Sequence, residues 1–370
     1  MTLVQTVVNI LIVVMGSILV LFTLLLLTLH VTNSFKSKRI QDMREQLICL
    51  ISGEAATKRL KNKLQEMIHQ KEGGVVSISQ IRGIRSTRGL LVISETADEL
   101  VPEDLKVLRT EIAGDWYSKY LTQQLSNGSE DSIILVVKLI GTLGMDRYIA
   151  DVVQQIYCYR SNPNMQHIGL LSLCLLGAEN SIVSICRDAS IASLLSFRTL
   201  EELFNVFRGD REMLCRRLID TAADAYIRRT CVKAIGENQY VALADQVLPL
   251  LYSPQMNTRI DAARALGQLA YPPAYQPILA QAHSERWELR AVVAAALSCF
   301  NADENAETLI DLLCDREWWV RLRASESLLK CSNTEDILRR VAVRQDRFAQ
   351  EMMQFALDKQ ALRDRKGATR

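Results

Sequence analysis

The sequence predicts an all-α chain in which a single N-terminal transmembrane helix is followed by an α-solenoid of stacked helical hairpins. Three observations predict it. Hydrophobic residues make up 49% of the 370 residues and aromatic ones only 6%, with 16 Gly and 7 Pro, so the apolar content is Leu, Ile, Val and Ala, the composition of helices packed on helices. Residues 3–29 form one apolar run without a charge. Arginine returns every 31 residues, at 228, 259, 290 and 321, each time at the head of a run of small apolar residues.

Residues 1–35 read as the anchor. The stretch "LVQTVVNILIVVMGSILVLFTLLLLTL" (3–29) is 27 residues long, and as a helix it spans about 40 Å, more than the roughly 30 Å hydrocarbon core of a bilayer. No basic segment precedes it and no small-x-small site follows it, which argues against a cleaved signal peptide. Lys36, Lys38, Arg39 and Arg44 stand just after the run, and no Lys or Arg stands before it. The positive-inside rule then places a single-pass protein in the cell membrane with its C-terminal part in the cytoplasm.

Residues 36–72 read as basic juxtamembrane helices. Residues 36–71 hold nine Lys/Arg against four Asp/Glu, a local +5, whereas residues 72–370 hold 35 against 38, or −3. Such a cluster is attracted to anionic headgroups by about 1 kcal/mol per basic residue near the surface; it equally suits a solvated helical face. Residues 73–131 read as a linker and an N-terminal helical region. "GGVVSISQIRGIR" alternates like a strand, but its glycines argue for a loop. Arg82, Arg85 and Arg88 recur there every third residue as candidates for an anion or lipid-headgroup patch. A helix, a proline-started helix and a third helix follow, up to "KYLTQQL".

Residues 132–343 read as the repeat array. Three places after the arginines stand Cys231, Ala262, Val293 and Ala324; six places after, Ala234, Ala265, Ala296 and Ser327; seven places after, Ile235, Leu266, Leu297 and Leu328. A second apolar helix recurs at the same period, through Val247, Ile278 and Leu309, so each unit is a helical hairpin incomplete without its neighbour. Upstream, "SIILVVKLIGTLG" and "HIGLLSLCLLG" end at Gly144 and Gly177 and read as diverged units. Residues 344–370 complete the chain as a helix and tail.

At 100° per residue the three recurring columns share one arc of the helix, and the arginine falls on its edge. Arginine beside a packed seam needs partners for five donors, and turn carbonyls or a carboxylate of the next unit are the natural ones. Arg228, Arg259, Arg290, Asp315 and Arg321 are therefore expected to form a structural ladder. The face opposite the seam, one and five places after each arginine, is the expected partner-binding surface: Arg229, Lys233, Ile260, Arg264, Ala291, Ala295, Leu322 and Glu326. Of Trp287, Trp318 and Trp319, the last is expected to be the exposed anchor, since neighbours in sequence point different ways and packing between repeats should cover the other.

On these residues the chain resembles the HEAT-like repeats, above all the short bacterial form related to repeats in phycobilisome lyases. "CDREWWVRLRASESLL" carries the match, with Asp315 six residues before Arg321. The resemblance implies a turn aspartate and a helix arginine that pair between repeats. Ser253, Ser284 and Ala222 take the aspartate's place in the other units, so it does not imply a continuous ladder here. It also implies a scaffold or regulatory subunit, because similar bacterial proteins with an anchor and HEAT-like units are often encoded near membrane glycosyltransferases for exopolysaccharide. A bilin-lyase-like enzyme and a lipid-surface or signalling regulator are the alternatives.

Catalytic chemistry finds no foothold. The four histidines sit in four contexts, the nine cysteines form no CxxC, and no HExxH, GxxxxGK, GxGxxG or GxSxG motif is present. No metal site, cofactor or catalytic residue is expected. A net charge of +2 without a basic stripe argues against nucleic acid and for a protein partner, with an anionic lipid surface as a second contact.

Overall fold

The computed structural model describes residues 37–48, 50–51, 78–81, 83–221 and 224–367. The expected anchor at 3–29, most of the expected juxtamembrane helices, and Arg82 lie outside the described residues. Among the described residues all regular structure is helical, and no helix is long and apolar enough to cross a membrane. The chain divides into two compact units, 1–172 and 173–370; the division falls inside the stretch expected to be one array.

The first unit opens, among its described residues, with a helical stretch at 37–48 that buries Met43 and Leu47 four residues apart. In the glycine-flanked segment that follows, Ile78, Ile81 and Ile84 are all buried. That spacing of three suits the short 3-10 turn at Ile78–Gln80 and the bends after it rather than a strand. Then come α1 (Thr87–Glu99), α2 (Pro102–Ala113), α3 (Asp115–Asn127), α4 (Glu130–Leu143), α5 (Ile149–Cys158) and α6 (Pro163–Leu175). Their ends follow local chemistry. Ser86 and Ser129 cap α1 and α4 by accepting from Gly89 N and Ser132 N, and α2 starts on its proline with Glu103 and Asp104 in the first turn. Tyr117 is wholly buried and donates its hydroxyl to the carbonyl of Ile84 at 3.3 Å, tying α3 to the turn before α1. A Cβ on Gly141 would stand 2.5 Å from Ser172 Cα, so α4 and α6 meet backbone to backbone; Ser172 donates to the Val137 carbonyl across that seam at 2.8 Å.

The second unit contains α7 (Glu179–Arg187), α8 (Ala189–Ala192), α9 (Phe197–Val206) and α10 (Arg211–Leu218), followed by the regular hairpins. The first helix of each hairpin is long: α11 (Ala225–Glu237), α13 (Met256–Gln268), α15 (Trp287–Asn301) and α17 (Trp318–Leu328). The second is α12 (Ala244–Val247), α14 (Tyr275–Ala280), α16 (Ala306–Leu313) and α18 (Thr334–Val343). Prolines keep the first two of these short. Pro249 turns the end of α12 into a 3-10 stretch, and Pro272 with Pro273 holds the chain in 3-10 form before α14. Helix α19 (Arg347–Gly367) follows them and packs on α17.

The long helices stack in order, α11 on α13, α13 on α15, α15 on α17 and α17 on α19. The small residues of the repeat make this approach possible. A Cβ on Gly236 would lie 2.7 Å from Ala265 Cα, and one on Gly267 would lie 2.5 Å from Ala296 Cβ. In the next step Ser327 donates to the Ala294 carbonyl at 2.8 Å. Cys231, Ala262, Val293 and Ala324 are fully buried beside these contacts, as are Ile235, Leu266, Leu297 and Leu328. This is an α-solenoid packing, in which each long helix covers the flank of the next.

Helix termination repeats as well, but with changing residues. Gly144 and Gly177 both have φ of 65°, the left-handed cap for which glycine carries no steric cost. In the regular units the same conformation falls on Gln239 (φ 59°) and, 31 residues later, on Ala270 (φ 47°). In the third unit α15 runs on to Asn301 and ends in a right-handed conformation at Ala302.

Candidate protein-interaction surface

The four column arginines stand in one register and reach different partners. Arg290 is the fully engaged one. Its Nε and Nη2 meet Asp315 Oδ2 and Oδ1 at 2.6 and 2.8 Å, and its Nη1 donates to the carbonyls of Ser284 and Glu285 at 2.7 and 3.1 Å. The two side chains are only 9% and 11% exposed, a setting in which a bidentate charge-assisted pair is strong. Burial pushes the Asp315 carboxyl up, but hydrogen bonds from Arg290 and from the N–H of Glu317 outweigh it and hold the group below the usual carboxylate range. The hydrogen bond to Asp315 in turn raises Arg290, against burial.

Arg321 donates to the carbonyls of Asp315 and Arg316 at 2.8 and 3.0 Å, and its guanidinium lies 5.5 Å from the centroid of the Phe348 ring. Arg228 donates to the Ile219 carbonyl at 3.1 Å. Arg259 has Met256 Sδ at 3.7 Å, and its Nε is buried without a partner. The cause is visible in the sequence. The place 25 residues after each arginine, the one Asp315 occupies relative to Arg290, holds Ser253, Ser284, Asp315 and Asp346. Two of these are not carboxylates, and Asp346 accepts from Ala349 N as the cap of α19.

The face expected to bind a partner needs correcting. Leu322 and Ala291 are 6% and 8% exposed, because a helix inside the row is covered on both flanks as well as on its hairpin side, so its buried arc exceeds the half circumference assumed from three columns. Arg229 pairs with Asp261 at 2.6 Å and lies 4.9 Å from the Phe197 ring centroid, and Lys233 pairs with Glu201 of α9. These two tie α9, α11 and α13 together rather than facing outward. Arg264 and Glu326 remain on the surface, the first paired with Asp261 at 3.1 Å and the second with Arg323 at 2.8 Å and Lys359 at 2.7 Å.

The exposed face of the last units is centred two places before and two, five and nine places after the arginine. On α17 and the turn after it these are Trp319, Arg323, Glu326 and Lys330. Trp319 is 52% exposed, and Trp318 is 44% exposed against it in an edge-to-face pair with centroids 4.7 Å apart. The expectation that packing covers one of the two is therefore corrected: both stand in the first turn of α17, ahead of Val320, its first buried residue.

Between α13, α15 and α17 this face forms a groove of about 640 Å³, lined by Arg264 of α13, by Trp287, Ala291, Val292 and Ala295 of α15, and by Trp319 of α17. A second concavity, of about 530 Å³, continues it toward α19, where Lys359 and Arg363 stand opposite Arg323 and Lys330. Ala295, Arg323 and Lys330 line both. Sequence reasoning missed Lys359 and Arg363 because α19 lies outside the 31-residue period, and it missed Arg323 and Lys330 because it centred the exposed arc on the places one and five after the arginine, whereas the arc lies nearer the places two and nine after it. Cys299 is exposed at the groove, whereas Cys174 and Cys186 are buried and burial pushes their thiols up to about 12.

In the first unit Arg85 and Arg88 are exposed. The helical stretch at 37–48 lies beside their turn: Met43 and Arg39 come within 3.5 and 3.7 Å of the Cβ position of Gly83. Among the described residues no cluster of His, Cys, Asp and Glu is arranged to hold a metal ion.

A match to a protein-family model agrees with the repeat architecture over part of the chain. Residues 212–298, from α10 into α15, match the family model described as HEAT repeats. No curated protein sequence matches the chain significantly. Among solved structures, the complex of CpcE and CpcF of phycocyanin lyase from Nostoc sp. PCC7120 is similar at 15% identity, with 77% of this chain and 97% of that chain covered and a TM-score of 0.27.

Proposed function

We propose that the chain is a membrane-anchored, non-catalytic scaffold whose HEAT-like stack holds a protein partner on the cytoplasmic side. The groove of the last units carries this reading. A stack fixed by backbone-close helix contacts and a buried Arg290–Asp315 pair presents two exposed tryptophans and several arginines and lysines on one face. Tryptophan and arginine are the residues that most often dominate protein interfaces. The anchor rests on the uncharged run 3–29 and the basic residues that follow it. The resemblance stated above supplies the partner class, a membrane glycosyltransferase of envelope polysaccharide synthesis.

The test is purification of the intact protein at native expression in mild detergent, with identification of stoichiometric companions. A co-purifying membrane glycosyltransferase supports the whole reading, another stoichiometric protein supports the scaffold alone, and recovery of the chain by itself refutes it. Carbonate extraction with protease protection tests the anchor: release by carbonate, or protection of the C-terminal unit in inside-out vesicles, would refute it.

A second reading has its own observation. Arg39, Arg85 and Arg88 are exposed about one turn, with Lys38 exposed beside Arg39 on the stretch nearest the run 3–29. This cluster suits anionic headgroups. Vesicle flotation tests it; retention independent of salt and of lipid charge would count against it.

A further inference from the structure

We infer that the continuous groove between α13, α15, α17 and α19 takes an acidic, extended segment of a partner protein that carries an aromatic or large aliphatic side chain. The inference rests on the scaffold reading and names the chemistry of the partner.

Charge sets the acidic requirement. The groove holds five cations, Arg264, Arg323, Lys330, Lys359 and Arg363, against Glu288 and Glu326, so 5 − 2 gives +3. Residues 72–370 as a whole carry −3, so everything in that span outside the groove sums to −3 − 3, or −6. An acidic segment is therefore attracted here and repelled by the remainder of the same span, which gives steering as well as contact.

Shape and hydrophobicity set the rest. Trp319 of α17 lines the groove half exposed, Trp287 lines it one turn before Ala291 on the same helix, and the small residues Ala291, Val292 and Ala295 of that helix line it beside them. Small side chains beside two tryptophans leave a slot for one inserted side chain. The cations continue past it toward α19, so the charged part of the segment lies along Arg323 and Lys330 to Lys359 and Arg363. A nucleic acid backbone fits less well. Its phosphates follow at constant spacing, and here Glu326 sits among the cations, already paired with both Arg323 and Lys359. A protein segment can place a donor or a neutral residue opposite Glu326; a phosphate chain cannot.

The experiment uses the full chain and three fluorescein-labelled synthetic peptides of twelve residues: one acidic with a central Leu-Phe, one acidic with Ala-Ala there, and one with lysines in place of the acids. Fluorescence anisotropy at low salt reads affinity, and alkylation protection of Cys299 against Cys158, both exposed, reads location. The acidic Leu-Phe peptide binds and shields Cys299 but not Cys158, and the other two bind at least about tenfold more weakly. Trp319→Ala and Lys330→Glu each weaken binding by about tenfold or more, with the helical circular dichroism of the chain unchanged. Equal binding of the Ala-Ala peptide, displacement by inorganic polyphosphate at equal charge concentration, or unchanged affinity in both variants would overturn the inference. Purification separates the two proposals: if the companion stays with the Trp319→Ala/Lys330→Glu chain, the groove assignment falls while the scaffold stands, and if the unaltered chain has no companion, the scaffold falls.

Discussion

Removing the guanidinium of Arg290 should cost far more than removing the same group one repeat earlier. Arg290→Met leaves the Asp315 carboxylate, 11% exposed, with only the Glu317 N–H at 2.9 Å. Breaking one side of a buried pair costs about 3–5 kcal/mol, and because both groups keep a sliver of solvent we place Arg290→Met near the lower end, about 3 kcal/mol. Arg321→Met gives up two carbonyl hydrogen bonds, at about 1–2 kcal/mol. Arg259→Met gives up only a sulfur contact and an Nε that has no partner, within about 0.5 kcal/mol of neutral. Urea denaturation of the full chain, followed by circular dichroism, reads these as midpoint shifts at constant slope. A cycle with Asp315→Asn, which can keep the turn cap but loses the charge, should show coupling of about 2 kcal/mol. The pair also gives a pH signature. The folded Asp315 lies below its ordinary value, so its contribution is fully present above the unfolded pKa of about 3.9 and is lost as pH falls through the folded one. Asp315→Asn should flatten that acid limb. Additivity of the two substitutions within about 0.5 kcal/mol, or equal losses at 259 and 290, would refute the reasoning.

Two further predictions concern the repeat seam and its ends. Ala270→Gly relieves a left-handed alanine at φ 47° and should stabilise the chain by up to about 1 kcal/mol, read as a raised melting temperature; no gain would mean the cap is unstrained. Gly267→Ala puts a methyl 2.5 Å from Ala296 Cβ, forcing α13 and α15 apart at a cost of about 1–3 kcal/mol, measured by the same urea titration. A neutral result would show that the helices separate freely.

How much of this was legible follows from what a period can carry. A column that is small in every unit reports a backbone-close seam, because close helix approach demands small residues at fixed spacing, and Ala265, Ala296 and Ser327 lie at that seam. The partners of a charged column are less legible, since they sit on the next turn and drift independently. The arginine persists through four units while the residue 25 places on changes from Ser253 to Asp315, so one register yields one bidentate pair and three weaker arrangements. The exposed surface was the least legible part. Three columns mark part of the buried arc but not its full extent, and the extent depends on neighbours: Leu322 is covered although it points away from the seam. The groove also draws Lys359 and Arg363 from a helix that belongs to no repeat.

Helix α19 joins stability to the surface. In a repeat array each flank is covered by the next element, and α19 covers that of α17 with Ala349, Met352, Met353 and Ala356, all buried, while Phe348, Phe355 and Leu362, seven residues apart, stay 63%, 49% and 58% exposed. Lys359 and Arg363 follow on the same helix, one and two turns beyond Ala356, so the packing of α19 on α17 also aims the groove's far cations. Met353→Ala should therefore have two effects of different size. Losing a buried methionine side chain costs about 2–5 kcal/mol, seen as a lower urea midpoint. Affinity for the acidic Leu-Phe peptide should fall as well, although residue 353 does not line the groove. Lys359→Ala should do the reverse, weakening the peptide with little change in midpoint, since its ion pair with Glu326 is 35% exposed on the lysine side and such pairs contribute at most about 1 kcal/mol. If Met353→Ala lowers stability but leaves peptide affinity intact at temperatures where the chain is folded, that packing and the groove are independent, and the far cations are held by something other than the packing of α19.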